Sequence, residues 1–167
     1  MTLTTNKTIY AKDFDKKKIF VTREFNASRD QVWDCWTKAE LLDQWWAPKP
    51  WKAITKTMDF RVGGKWLYCM ASPEGEKHWS GLDYKTIEPK NSYTSTDYFC
   101  DENGNPNPEF KSSHWKNVFT SVPGGTKVEV ELTFERIEDM NKLIEMGFEG
   151  GFAMGHTNLD ELLESLI

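Results

Sequence analysis

The sequence predicts an α+β domain: a curved antiparallel sheet of about six to seven strands wrapped around a long C-terminal helix, with two short helices after the first strand. Three observations carry that prediction. Residues 25–48 hold a Trp-rich stretch with the capping and spacing of a helical hairpin. Residues 51–136 hold runs of β-branched and aromatic residues separated by Gly, Pro and Asn turns. From Phe148 onward the apolar residues recur at helical rather than strand spacing.

The first sixteen residues are polar and weakly patterned, and read as an N-terminal arm (1–16) before a single domain (17–167). Residues 17–25 are rich in β-branched and aromatic residues and form the first strand. Ser28 then caps a helix, with Gln31 three positions on completing a capping box. Val32 and Trp36 share one face of that helix, and Leu41, Leu42 and Trp45 mark a second, shorter one. Pro48 and Pro50 end it, because neither has an N–H to give to a helix. Residues 51–62 are extended and lead into Gly63-Gly64, a pair suited to the positive φ angles of a hairpin turn.

Residues 65–71 alternate, with Trp66, Tyr68 and Met70 on one face. In the next strand, 77–87, Leu82, Tyr84 and Thr86 fall on one side. Residues 92–100 have strand composition, but their alternation does not say which face points inward. A polar, Pro-containing loop spans 101–108. The strand 113–121 follows, and 126–136 alternates most cleanly, with Val128, Val130, Leu132 and Phe134 inward. Asp139 reads as the cap of a short helix. The last element places Phe148, Phe152, Gly155, Leu159, Leu162, Leu163 and Leu166 on one helical face, over about five turns. Gly150, Gly151 and Gly155 each weaken it by roughly 1 kcal/mol against Ala, and in exchange permit close approach of another backbone or leave room for a guest.

Composition limits the function. The chain has 167 residues, a net charge of −5 and 14% aromatic residues, eight of them Trp. Phosphate binding needs a concentrated basic patch, so nucleic acid and anionic membrane surfaces are not expected partners. Cys35, Cys69 and Cys100 are an odd number without a C-x-x-C pair, which suits reduced thiols in a cytoplasmic protein. Residues 1–15 lack the apolar core of a signal peptide, and no run approaches the ~18 apolar residues of a membrane span.

The motifs in series carry a resemblance. They are Phe25-Asn26-Ala27-Ser28-Arg29-Asp30-Gln31-Val32-Trp33, Trp36-Thr37, Trp45-Trp46-Ala47-Pro48, Asp59-Phe60-Arg61-Val62-Gly63-Gly64-Lys65-Trp66, Tyr84 with Ile87 and Pro89, Asp101-Glu102-Asn103-Gly104-Asn105, Gly147-Phe148-Glu149-Gly150 and Leu159-Asp160-Glu161-Leu162-Leu163. In that order the chain resembles the activator of Hsp90 ATPase homologue 1-like family, within the START/Bet v 1-like helix-grip superfamily. The resemblance implies a cavity between sheet and long helix, and in several relatives a bound apolar small molecule. It does not fix an activity, because this scaffold hosts carriers, receptors, cyclases and chaperone partners. Two features depart from the family: Gly155 is followed by His156 where relatives often carry Trp, and residues 1–16 are too few to form the chaperone-docking N-terminal domain of the eukaryotic activators.

Motifs for nucleotide, nucleophilic or metal chemistry are missing from the sequence: there is no P-loop, G-x-S-x-G or G-x-G-x-x-G. His78, His114 and His156 sit on separate elements without ligand spacing. In 101–112 the Gly occupies the fourth rather than the sixth place and Ser112 the twelfth, which excludes an EF-hand. No catalytic residue, metal or cofactor is therefore assigned. The expected ligand-binding residues are Trp66, Tyr68, Tyr84, Tyr98, Trp115, Phe119, Met154, His156 and Asn158, each of which has ordinary core packing as its alternative role. If any acid lines the cavity, it is Asp97 or Asp83, with strand parity left open. The expected function is non-catalytic binding of a small apolar or aromatic molecule. The alternative is a protein-interaction module, a chaperone (Hsp90) cofactor using the Trp-rich hairpin as an exposed surface, acting as monomer or homodimer. The third is a cyclase- or hydrolase-type enzyme using His156 or a cavity tyrosine.

Overall fold

A computed structural model describes residues 7–166. The turn signals between the β-rich runs close hairpins, so strands β3 (Lys52–Met58), β4 (Lys65–Ala71), β5 (Lys77–Glu88), β6 (Ser92–Cys100), β7 (Ser113–Val122) and β8 (Gly125–Phe134) pair in sequence order. Ahead of them lie β1 (Ile9–Asp13) and β2 (Lys18–Phe25), then helices α1 (Arg29–Thr37) and α2 (Ala39–Trp45). Helices α3 (Ile137–Glu145) and α4 (Phe148–Ser165) follow β8. The sheet order is β1-β2-β8-β7-β6-β5-β4-β3, antiparallel throughout. One curved sheet grips one long helix, the helix-grip arrangement that the sequence predicts.

The sheet has eight strands rather than six or seven. The additional one, β1, lies in the stretch read as an arm, whose first six residues fall outside the described residues. An edge strand with both faces mostly exposed has no inward row to make alternate, so Ile9–Asp13 shows no period-two signal. It pairs with β2 from Ile9 opposite Thr22 to Asp13 opposite Lys18. Its side chains also reach α4: the Tyr10 hydroxyl donates to the Glu149 carbonyl at 2.6 Å, and Lys12 pairs with the Glu149 carboxylate at 3.1 Å.

Other elements follow their sequence signals closely. The capping box of α1 is present, with Gln31 N donating to Ser28 Oγ and Ser28 N donating to Gln31 Oε1. In β8 the inward row is Val128, Val130, Leu132 and Phe134, all buried. In β5 a register shift between Tyr84 and Thr86 breaks the alternation. Thr86 therefore turns outward to bond Thr94, and Ile87 packs on the core in its place. Asp139 is not the cap of α3. That place belongs to Arg136, and Asp139 sits in the first turn accepting two hydrogen bonds from its guanidinium, each 2.8 Å. A carboxylate there also meets the helix dipole favourably.

The helical hairpin faces inward. Trp33, Trp36 and Trp45 are buried, with Trp36 and Trp45 ring centroids 4.9 Å apart. The Trp45 ring N–H donates to the Cys35 carbonyl at 2.8 Å, tying α2 to α1. α2 packs on β3 and α4, and α1 on β7, β8 and α4. The expectation of an exposed Trp-rich docking surface therefore fails here, because these rings are too large to leave in water when a sheet is available to cover them. Gly155 makes the α2–α4 packing close. A Cβ there would stand 3.4 Å from the Trp45 carbonyl oxygen and 3.6 Å from that of Trp46. Arg23 occupies an inward position of β2 and is buried, where it forms a two-pronged ion pair with Asp160 of α4. Cys35, Cys69 and Cys100 form no disulfide. Among the described residues no helix is long and apolar enough to cross a membrane.

Candidate functional site

Where α3 hands over to α4, the helices stand off from strands β4–β7 and leave a half-open cavity of about 360 Å³. The turn that lifts them is centred on Gly147, whose φ of 87° only glycine adopts without strain. Gly151 follows on the cavity side of α4. Trp46, Trp115, Phe148 and Phe152 build an aromatic wall: Trp46 and Phe152 centroids are 5.7 Å apart, and Trp115 and Phe152 5.9 Å. Trp46 comes from the end of α2, Trp115 from β7, and the two Phe from one face of α4, so three elements meet at one surface. Phe110, Lys111, Lys142 and Met146 border the cavity where it meets solvent.

The sheet side supplies the polar groups. Tyr68 is buried on β4, stacks on Trp66 at 4.1 Å, and accepts from the Trp46 ring N–H at 2.9 Å. Burial pushes its phenol well above the ordinary range, so it stays a neutral hydroxyl. Asp97 of β6 faces inward, opposite Leu82 on one side and Ser113 on the other. Its Oδ1 accepts from the Ser113 hydroxyl, whose oxygen in turn accepts from the Trp115 ring N–H at 3.3 Å. Burial raises the Asp97 carboxyl to about 6, against the pull of the Ser113 and Trp115 donors. The cavity thus pairs apolar rings with the Asp97 acid, the Tyr68 phenol and two serines, Ser80 and Ser113, with Tyr98 and Asp139 also at its border. Among the described residues there is no His/Cys/Asp/Glu group able to hold a metal ion.

The nine residues expected at the site divide. Tyr68 and Trp115 line the cavity with buried side chains. Tyr98 borders it, but its ring lies across Gly81 and its hydroxyl donates to Asp83 Oδ1 at 3.0 Å, on the opposite face of the sheet from Asp97. Trp66, Tyr84 and Phe119 do not line it. Trp66 is held in the core by its N–H to Thr55 at 3.0 Å, and Tyr84 and Phe119 pack in the core with Phe60, Tyr93 and Trp33. Met154 points away from the sheet and is 43% exposed.

His156 and Asn158 have structural roles. His156 is buried among Phe25, Trp36, Trp45 and Phe152, with Nδ1 2.7 Å from the Thr8 hydroxyl. Burial, and then the Arg23 charge, lower its pKa to about 3, so it is neutral. Asn158 donates to the carbonyls of Ala47 at 3.1 Å and Trp45 at 3.4 Å, beyond the last turn of α2. The residues that sequence reasoning missed are Trp46, Phe148, Phe152 and Ser113. The two Phe belong to the apolar stripe of α4, and nothing in that stripe marks where the sheet stops covering it.

A model of the family described as Activator of Hsp90 ATPase homolog 1-like protein matches residues 26–164. A protein of Arthrobacter aurescens, solved in solution, is 32% identical with a TM-score of 0.88, over 94% of this chain and 91% of that one. A crystal structure from Mycobacterium smegmatis is 28% identical with a TM-score of 0.87, over 94% and 96% of the two chains. A solution structure from Staphylococcus epidermidis is 26% identical with a TM-score of 0.83, over 95% and 94%. No curated protein matches the chain.

Proposed function

The chain belongs to the Activator of Hsp90 ATPase homolog 1-like family, and from that premise we propose that it binds a small apolar or aromatic molecule between the sheet and α4, without catalysing a reaction. The observation that carries this reading is the aromatic-walled cavity of about 360 Å³. Its volume lies within the ~300–1,000 Å³ of small-molecule sites, whose usual lining is apolar with a few placed polar groups. Rings that already touch one another present a preformed surface, so a guest gains burial without first ordering the wall. The unbridged cysteines suit a reducing, cytoplasmic setting.

Native mass spectrometry of protein purified from cells tests this directly, together with thermal shifts across a panel of apolar and aromatic compounds. A stoichiometric adduct, or a shift that grows with ligand concentration, is expected. Gly151→Leu supplies the control. It puts a side chain at the cavity border, where a Cβ meets only Pro48 at 3.8 Å, and it removes a helical glycine worth roughly 1 kcal/mol. The variant should melt at a higher temperature than the parent yet lose the adduct and the shifts. No adduct and no shift with the parent protein overturns the reading and moves attention to a chaperone-cofactor role, tested by pull-down with Hsp90.

A further inference from the structure

We propose that the cavity selects molecules carrying an amine cation next to an apolar body, with the Asp97 carboxylate as counter-ion and Trp46, Trp115 and Phe152 as the surrounding rings. The inference rests on the cavity-binding reading and narrows it to a ligand class.

Asp97 is a cavity-lining acid whose hydrogen bonds leave its charge in place. Ser113 donates to it and in turn accepts from the Trp115 ring N–H, which orients the carboxylate and keeps it ionisable. None of the ion pairs among the described residues includes it. The other charged or titratable groups bordering the cavity are engaged elsewhere or stand at its rim. His78 of β5 pairs with Glu76, Asp139 of α3 is held by Arg136, and Lys142 lies over the Phe110 ring at 4.8 Å. Lys111 is exposed on the loop before β7, and Tyr68 of β4 stays neutral. A hydrocarbon guest would strip water from a charged carboxylate and return nothing. An ammonium group returns both a charge-assisted hydrogen bond and attraction to the ring faces.

The pH dependence follows from burial. The carboxyl titrates near 6, so it is charged above that value and neutral below it. Alkyl ammonium ions, like the Lys side chain with its pKa of about 10.4, stay charged across the whole range. Ammonium affinity should therefore rise as pH increases through about 6. Hydrocarbon affinity should fall over the same window, because the neutral acid is the cheaper one to desolvate.

Isothermal titration with phenylpropylammonium, phenylpropanol and propylbenzene, from about pH 5 to about pH 8, tests the proposal. At the upper end the ammonium should bind at least about tenfold more tightly than the alcohol. Asp97→Asn, which keeps the shape and the Ser113 partner, should erase that ratio. The pH profile of the unmodified protein gives the same information if the variant does not fold. Equal affinity for ammonium and alcohol, a pH-independent ratio, or a ratio that survives Asp97→Asn overturns the inference. Binding of the alcohol and hydrocarbon without the ammonium overturns it while leaving the cavity-binding reading intact. Binding of none overturns both.

Discussion

At the scale of single residues, two buried ionisable groups pull the pH dependence of stability in opposite directions. His156 is held neutral, its pKa lowered from 6.5 to about 3 by burial and the Arg23 charge. Between those values the unfolded chain binds a proton that the native one refuses, so stability falls as pH drops through the window, by up to about 1.4 kcal/mol per pH unit. Asp97 is raised from 3.8 to about 6, so the native state binds the extra proton there. Its contribution therefore grows as pH drops from about 6 toward 3.8 and partly offsets that of His156. Asp97→Asn should accordingly steepen the acid loss of stability, and His156→Phe should flatten it, both read from urea midpoints between about pH 4 and about pH 7. A steeper profile in His156→Phe would contradict the assignment of a neutral native imidazole. In the sequence His156 reads as an expected ligand-binding residue on the long helix, whereas Asp97 lies in a strand of blurred parity. The difference between core and cavity depended on distant elements: β2, α1 and α2 place Phe25, Trp36 and Trp45 around His156, whereas β7 places Ser113 beside Asp97.

Single elements show the same division between local signals and tertiary ones. The box at Ser28, the clean alternation of β8 and the stripe of α4 are local and were legible as written. The register shift at Tyr84 is not, since it depends on how β5 meets β6. Nor is β1 legible, because an edge strand pairs through backbone groups that every residue carries. How α4 is fixed to the sheet follows from Arg23, a charged residue at an inward position of β2 whose partner is Asp160. Arg23 is buried, while Asp160 is about one-third exposed at 37%. Removing the acid leaves a buried cation facing the Glu24 carbonyl and the Phe25 ring. Asp160→Ala should cost about 2–4 kcal/mol, somewhat less than a fully enclosed pair because water reaches one side. Arg23→Met with Asp160→Ala should recover part of that loss, as apolar replacement of a buried pair often does. Chemical denaturation of the two variants decides it, and equal stability of Asp160→Ala and the parent would show that this ion pair does not hold α4 to the sheet.

Across the whole molecule the apolar burial is uneven, and the cavity lies at the thin end. The second half of α4 buries Gly155, His156, Asn158, Leu159, Leu162 and Leu163 against α2 and the sheet. α3 buries only Asp139 and Met140, and α4 starts from Gly147 and carries Gly150 and Gly151 in its first turn. Local opening costs least where few apolar contacts must be broken and glycines leave the helix weakest. Native-state hydrogen exchange should thus find the slowest amides in β2, β7, β8 and residues 156–163, with faster exchange in α3 and residues 147–151. That gradient gives a guest something to act on. A molecule seated against Phe148 and Phe152 binds the closed form alone, so it should slow exchange in α3 and residues 147–151 while leaving β1 and β2 unchanged at a concentration near its dissociation constant. Uniform slowing over the whole chain would mean that the molecule opens only by global unfolding. Slowing confined to α1 and α2 would place the guest at the Trp-rich hairpin instead of beside Asp97.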